Sequence, residues 1–290
     1  FNPHFEGPCT RCPTERLAEC TARNPLAPVF RACTPDYWSR LREVYFRKLE
    51  RPDIRHVCPS ESVGRNLCRL DARFERCKFV TLPHGSRTHC ADAFGGATAE
   101  RRLRVVVLGR LSPAKGLHLL RRAMPLMRLL ADVHLLGCGE AGRTFIGLPG
   151  VHVVPDYVGH ELSAHLLAIR PDVACFLSQV PETFSYTLSE AWAHGLPVCA
   201  PRLGSFADRV SEGRDGCFYD GAAEGLVAAL LALDNDRARL VAMHEAVMQR
   251  GARSIGEMVS DYYLLRDDLT QVAAAYLAHR DPSNVGESAA

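Results

Sequence analysis

The chain contains no apolar run approaching the roughly 18 residues that a membrane-crossing helix needs, so no stretch of it reads as a transmembrane span. It also lacks an excess of either charge. Its 35 Lys+Arg stand against 33 Asp+Glu, and a formal net charge of +2 gives no electrostatic footprint for bulk nucleic-acid binding. No signal-peptide pattern opens it. The first residue is Phe1 rather than Met, and residues 1–33 read as the interior of a longer protein. The remaining composition is ordinary for a globular protein, with 47% hydrophobic and 23% charged residues. Its 290 residues allow about two domains.

Cysteine is the exception, at 12 residues. Cys138, Cys175, Cys199 and Cys217 sit in apolar runs or beside glycine, where a free thiol behaves as a small hydrophobe. Cys9, Cys12, Cys20 and Cys33 instead crowd a proline-rich segment, 1–35, that reads as loop. One CxxC with two irregularly spaced partners leaves three readings: a structural zinc on the four thiolates, free thiols, or disulfides. Reduced or metal-bound thiols fit the pattern better than a disulfide scaffold.

Tyr37, Leu41, Val44, Tyr45 and Leu49 recur at helical spacing and predict a helix over 36–50. His56–Cys58 and Phe79–Leu82 are strand candidates, with Ser60 placed to cap a helix between them. Residues 86–101, polar and carrying Gly95-Gly96, read as a linker. From Leu103 a regular alternation begins. Strands are predicted at 103–108, 133–136, 151–154, 172–177, 196–200 and 216–219, with helices at 117–130 and 161–169 and a turn at 206–210. Three helices follow at 222–233, 237–250 and 255–278, and the polar tail from Asp281 reads as disordered. Such alternation predicts a parallel, doubly wound sheet with its ligand at the C-terminal strand ends.

The centre of this pattern is Pro181-Glu182-Thr183-Phe184-Ser185-Tyr186-Thr187-Leu188-Ser189-Glu190-Ala191, which leads from a strand into a helix. The start of that helix offers unpaired N–H groups and a positive dipole end, which suit a phosphate. Glu182 and Glu190 flank the site as acceptors for sugar hydroxyls.

These residues resemble those of the retaining, GT-B-fold glycosyltransferases of family 4, within glycosyl transferases group 1. Gly109-Arg110-Leu111-Ser112-Pro113-Ala114-Lys115-Gly116 is similar to that family's GR-x3-KG loop, and Glu182 and Glu190 have its E-x7-E spacing. Gly137 and Gly139, then Glu190-Ala191 ahead of Gly195, Pro197 and Val198, follow in the family's order over residues 103 to about 220. The wording PETFSYTLSEA also resembles bacterial surface-polysaccharide and O-antigen enzymes.

The resemblance implies a GT-B-like α/β fold. Its Rossmann-like donor domain would span 103–254, preceded by an incomplete acceptor-side domain at 36–95 and a linker at 96–102. A helix at 255–280 would pack back toward the N-terminal part, ahead of a tail at 281–290. It implies catalytic roles for Glu182, Arg110 and Lys115. Donor binding would fall to Gly109, Arg110, Lys115, Glu182, Phe184, Ser185, Tyr186 and Glu190, with Arg110 and Lys115 on the diphosphate and Glu190 on the ribose. Direct ligand contact by Gly137 and Gly139 competes with a plain role as turn glycines.

The implied reaction needs no catalytic metal. Asp234-Asn235-Asp236 resembles a metal-binding DxD but sits where an N-cap belongs. The implied partners are a nucleotide-sugar donor and a glycan or lipid-linked acceptor, in the bacterial cytoplasm or peripherally at the inner membrane.

The chain departs from the family in its N-terminal part, which has no Gly-rich first strand–helix unit and no histidine matching the family's early-domain one. His84, in Pro-His-Gly, resembles the interdomain segment and is read as either a hinge or a cleft-lining residue. Tyr262 and Tyr263 are expected in the core. Two other readings stay open. One is a donor-binding accessory fragment without turnover. The other, more remote, is a sugar-nucleotide epimerase or a phosphorylase, the latter without the cofactor-lysine motif it would need.

Overall fold

The computed structural model describes residues 9–11, 13–23, 32–86 and 91–265. Cys12, the predicted helix beyond 265 and the tail from Asp281 lie outside these. Just after Pro13, helix α1 (Thr14–Arg23) buries Leu17, Cys20 and Thr21 along one face. It corrects the expectation of loop throughout 1–35. Pro13 stands ahead of the first turn, where a proline breaks nothing, and Cys20 fills an aliphatic position in the buried stripe.

Thr34 starts α2 (Pro35–Leu49) by accepting the Tyr37 N–H at 3.3 Å. Phe46 packs inward on Phe74, their ring centroids 4.5 Å apart, while Tyr37, Val44 and Tyr45 remain exposed. Strands β1 (Arg55–Cys58) and β2 (Lys78–Thr81) pair in parallel through α3 (Glu61–Leu70) and a short 3-10 turn. Ser60 holds the predicted N-cap position of α3, but its hydroxyl makes no cap. It donates instead to the Thr183 carbonyl at 2.8 Å, in the stretch on which the sequence centres.

From Leu103 the elements alternate as predicted. They are β3 (Leu103–Leu108), α4 (Leu117–Leu130), β4 (Ala131–Leu136), α5 (Gly139–Gly142), β5 (Val151–Val154), α6 (Leu162–Ile169), β6 (Val173–Cys175) and α7 (Tyr186–Ala193). They continue with β7 (Val198–Pro201), α8 (Ser205–Arg209), β8 (Gly216–Tyr219), α9 (Ala223–Asn235), α10 (Arg237–Arg250) and α11 (Ile255–Leu264). Six parallel strands lie in the order β5-β4-β3-β6-β7-β8. Val105, Val107, Val133 and Leu135 face one core with α4 and α9. Val106, Leu108, Leu136 and Ala174 face a second core with Leu188 and Ala191 of α7. Burial on both faces explains the unbroken apolar runs of these strands. The chain starts at β3, winds out to β5 and returns to β6 on the other side of β3, so the winding reverses between β3 and β6. That switch point opens a crevice at the C-terminal ends of the two strands.

Residues 91–101, expected as a linker, are fixed along the sheet domain. Ala91 and Ala93 donate to the Ala193 and His194 carbonyls, each at 3.0 Å, and Ala93, Phe94 and Ala97 are buried. Asp172 is the pin. Fully buried, it accepts both terminal nitrogens of Arg101, the Arg104 N–H at 2.9 Å and the Ala97 N–H at 3.0 Å. Asp236 caps α10 by accepting the Arg239 N–H at 3.1 Å, as expected for the DxD look-alike. Helix α11 lies beside the N-terminal unit, where Met258 Sδ accepts the Gly85 N–H at 3.4 Å. Tyr262 and Tyr263 are 41% and 43% exposed, which corrects their expected place in the core.

Candidate functional site

Two loops meet over the switch point. Gly109 leaves β3 with φ 96° and donates to the Leu136 carbonyl at 2.9 Å. The loop closes at Gly116, the N-cap of α4, with φ 82°. Any Cβ there would overlap the Leu177 carbonyl oxygen, so both the backbone angle and the close approach to the β6 loop require glycine. Gln179 N–H donates to the Ala114 carbonyl at 2.8 Å and stitches the loops together. Lys115 Nζ consequently forms an ion pair with Glu182 Oε1, which also accepts the Ser178 hydroxyl at 2.8 Å. Behind Glu182, the close packing of Gly204 and a 2.8 Å bond from Ser205 N–H to the Glu182 carbonyl fix the backbone. Gly109, Arg110, Lys115, Glu182 and Ser185 line one pocket of about 320 Å³, with Ser178 and Thr187.

Ser185, the N-cap of α7, sits at φ 64° and ψ 91°, a conformation that a non-glycine residue rarely adopts. The N–H groups of Ser185 and Tyr186 have no protein acceptor among the described residues, as at any open helix start. Phe184 and Tyr186 take the other side of this turn. His84 meets the Phe184 ring edge-on at 5.0 Å and stacks on Tyr186 at 5.4 Å. These contacts border a second, larger cleft of about 710 Å³, lined by His84, Phe184, Ser189, Arg209 and Arg250–Arg253. His84 thus lines a cleft on the hinge side, where burial, then the Arg209 charge, push its pKa down.

Glu190 lies further along α7 and is not among the residues that line either cleft. Its half-buried carboxylate accepts no hydrogen bond among the described residues, and burial pushes its pKa up. Tyr157 lies within its electrostatic reach, its own pKa raised by burial and then by the Glu190 charge. Gly137, at φ 66°, packs under the Tyr157 ring, and Gly139 packs against the Arg110 stem, so both serve the turns directly.

Sequence reasoning did not single out Ser178, Tyr157 or Arg209. Ser178 stands one residue beyond an apolar strand and four before Glu182, a legible hint. Arg209, the last residue of α8, has no local signal. At the N-terminal end, Cys20 is buried and Cys9 and Cys33 are partly exposed. Among the described residues no group of three or more His, Cys, Asp or Glu could hold a metal, and Cys12 lies outside them.

Comparison with known proteins adds to this geometry. The family described as Glycosyl transferases group 1 matches residues 102–236. D-inositol 3-phosphate glycosyltransferase of Segniliparus rotundus is 29% identical over 172 residues, 54% of this chain and 38% of that protein. The protein of that name from Corynebacterium urealyticum is 30% identical over 162 residues, 50% of this chain and 38% of its own. The chain therefore spans 38% of the length of the curated relatives it matches.

Among solved structures, sucrose-phosphate synthase from Thermosynechococcus elongatus superposes with a TM-score of 0.62 at 21% identity, over 80% of this chain and 61% of that one. HepE of Anabaena, solved with UDP-glucose, gives 0.57 at 17% identity over 92% and 77%. These neighbours are GT-B glycosyltransferases, and the Rossmann-like sheet of this chain has their fold. The match to the glycosyl transferases group 1 family, over residues 102–236, takes in every residue that lines the 320 Å³ pocket.

Proposed function

We propose that this chain transfers a sugar, with retention, from a nucleotide-diphosphate-sugar donor to a glycan or lipid-linked acceptor in cell-surface polysaccharide assembly. The observation that supports it most is the convergence of Arg110, Lys115, Glu182 and Ser185 in one pocket at the switch point. Breaking a sugar–phosphate bond loads negative charge onto the leaving diphosphate. Fixed cations and N–H donors aimed at that charge stabilise the transition state without reorganising. Arg110 and Lys115 take the diphosphate. As Lys115 turns to the phosphate it releases Glu182, already oriented by Ser178, to accept hydrogen bonds from the sugar hydroxyls. Glu190, without a hydrogen-bond partner near Tyr157, takes the ribose.

No metal enters this chemistry. A zinc on Cys9, Cys12, Cys20 and Cys33 would be a fold-supporting ion outside the reaction, and the zinc content of the purified protein tests it. The setting proposed is the bacterial cytoplasm, with peripheral contact at the inner membrane where the acceptor is lipid-linked. Among the described residues no helix is long and apolar enough to cross a membrane.

Calorimetric titration with UDP, GDP, dTDP and ADP, repeated on Arg110→Ala and Glu190→Ala, tests the site. One nucleotide should bind, and both substitutions should weaken it. HepE was solved with UDP-glucose, which makes UDP the first nucleotide to try. A transfer assay with the matching sugar nucleotide separates an enzyme from a catalytically incomplete donor-binding fragment. That second reading is favoured by the small N-terminal sheet of two strands beside the six-stranded one. Binding without transfer would support it.

A further inference from the structure

We propose that Arg209 is a positioning residue: it pulls the carbonyls of Phe184 and Ser185 to the hinge side and so turns the N–H groups of Ser185 and Tyr186 toward the pocket. Nη1 donates to both carbonyls, reaching that of Ser185 at 3.0 Å, and Nη2 donates to the Ser189 hydroxyl at 2.7 Å within α7. The guanidinium also lies over the Phe184 ring, 3.8 Å from its centroid, which fixes its plane.

The consequence for the N–H groups follows from the geometry of the peptide unit. The described residues contain no cis peptide, so every N–H points away from the carbonyl of its own unit. The Phe184 carbonyl shares its unit with the Ser185 N–H, and the Ser185 carbonyl shares its unit with the Tyr186 N–H. Arg209 lines the larger cleft on one side of this turn, while Ser185 and Thr187 line the 320 Å³ pocket on the other. Two carbonyls held at the cleft therefore commit two N–H donors to the pocket.

Ser185 would not stay at φ 64° and ψ 91° unaided, because such a backbone persists only where its surroundings over-determine it. The bonds from Arg209 to residues 184, 185 and 189 supply that constraint. Although burial, then the neighbouring Arg250, lower the Arg209 pKa to about 9, it remains a cation at neutral pH.

Resting on the donor-site reading, this role is tested with UDP and inorganic pyrophosphate as probes, by calorimetry and by the backbone amide signals of Ser185 and Tyr186. In the wild-type protein both amides should shift as pyrophosphate binds. Arg209→Met should weaken both ligands by about tenfold to a hundredfold, the scale of loss expected when binding groups are misplaced by about an ångström. It should also abolish the two amide shifts while the dispersion of the remaining spectrum persists. Arg209→Lys, which can reach one carbonyl, should recover part of the affinity. A folded Arg209→Met with wild-type affinity and unchanged amide shifts would overturn the role. Should Arg209→Met not fold, the wild-type amides decide: pyrophosphate binding that leaves Ser185 and Tyr186 unmoved refutes it. Wild-type protein that binds no nucleoside diphosphate at all removes the donor reading and this role with it.

Discussion

The six-stranded sheet and the N-terminal unit are held by different forces, and the candidate site is built almost entirely from the first. Strands β3, β4, β6 and β7 are buried on both faces, and their backbone bonds reach directly into the loops that carry Arg110, Lys115 and Glu182. In β1 and β2, Cys58 is the only fully buried residue. The N-terminal unit meets the sheet domain through directed polar contacts. Asp208 accepts the Ser62 N–H at 2.7 Å and pairs with Arg65, and Ser60 donates to Thr183. Apolar burial fixes the pocket, whereas a few hydrogen bonds, an ion pair and the ring contacts of His84 attach the neighbouring unit. The two regions should therefore open at different free energies.

The largest expected effect comes from breaking the pin of the sheet domain. Asp172→Ala takes the buried carboxylate from the Arg101 guanidinium and from two backbone N–H groups, a loss of about 3–5 kcal/mol when one partner of a buried charge pair is removed. Chemical denaturation should show the main transition moved to lower denaturant. An unchanged midpoint would mean that the linker residues are not held as described.

An intermediate effect is expected at the attachment. Asp208→Ala leaves the Ser62 N–H without its acceptor and should cost about 1–3 kcal/mol of attachment. Limited proteolysis should then cut the N-terminal unit sooner while the fragment containing residues 103–254 survives at its former rate. Equal acceleration in both regions would erase the contrast between them.

The smallest effect has the opposite sign. Burial holds the Glu190 pKa above its ordinary value of 4.5, so the folded state prefers the protonated acid. A raised folded-state pKa contributes stability below the unfolded-state value and loses it as pH rises through the folded-state value. At neutral pH the ionised carboxylate therefore weakens the fold. Glu190→Gln should slightly raise the melting temperature at pH 7, and the gain should vanish as pH falls below the ordinary carboxylate range. In the presence of the bound nucleotide the order should reverse. A variant less stable than the wild type at pH 7 without ligand would show that Glu190 has a partner in the folded protein.

Much of this architecture was legible along the chain. Unbroken runs such as Leu103–Leu108, glycines at their ends and helical stripes between them are local patterns, and they predicted the parallel sheet and its order of elements with boundaries close to those observed. Two local features were not legible, for physical reasons. Helix α1 was hidden because its buried stripe has a single leucine, Leu17, beside Cys20 and Thr21. The segment 91–101 read as a linker because alanine and glycine carry little hydropathy, and how it is held was not legible: its backbone lies against Ala193, His194 and Pro171.

The sequence by itself marked the candidate site residues: a lysine and an arginine after β3, a glutamate after β6 and another within α7. Tertiary structure decided which of them share a pocket. Lys115 finds Glu182 across 67 positions, and Ser60 finds Thr183 across 123. It also set the facing of neighbours one residue apart, sending Ser185 to the pocket and Phe184 to the hinge-side cleft. Periodicity records how deeply a residue is buried, because burial repeats with each turn of a helix and each step of a strand. It carries no record of the partner, since that depends on how elements wound through the whole sheet return to one crevice.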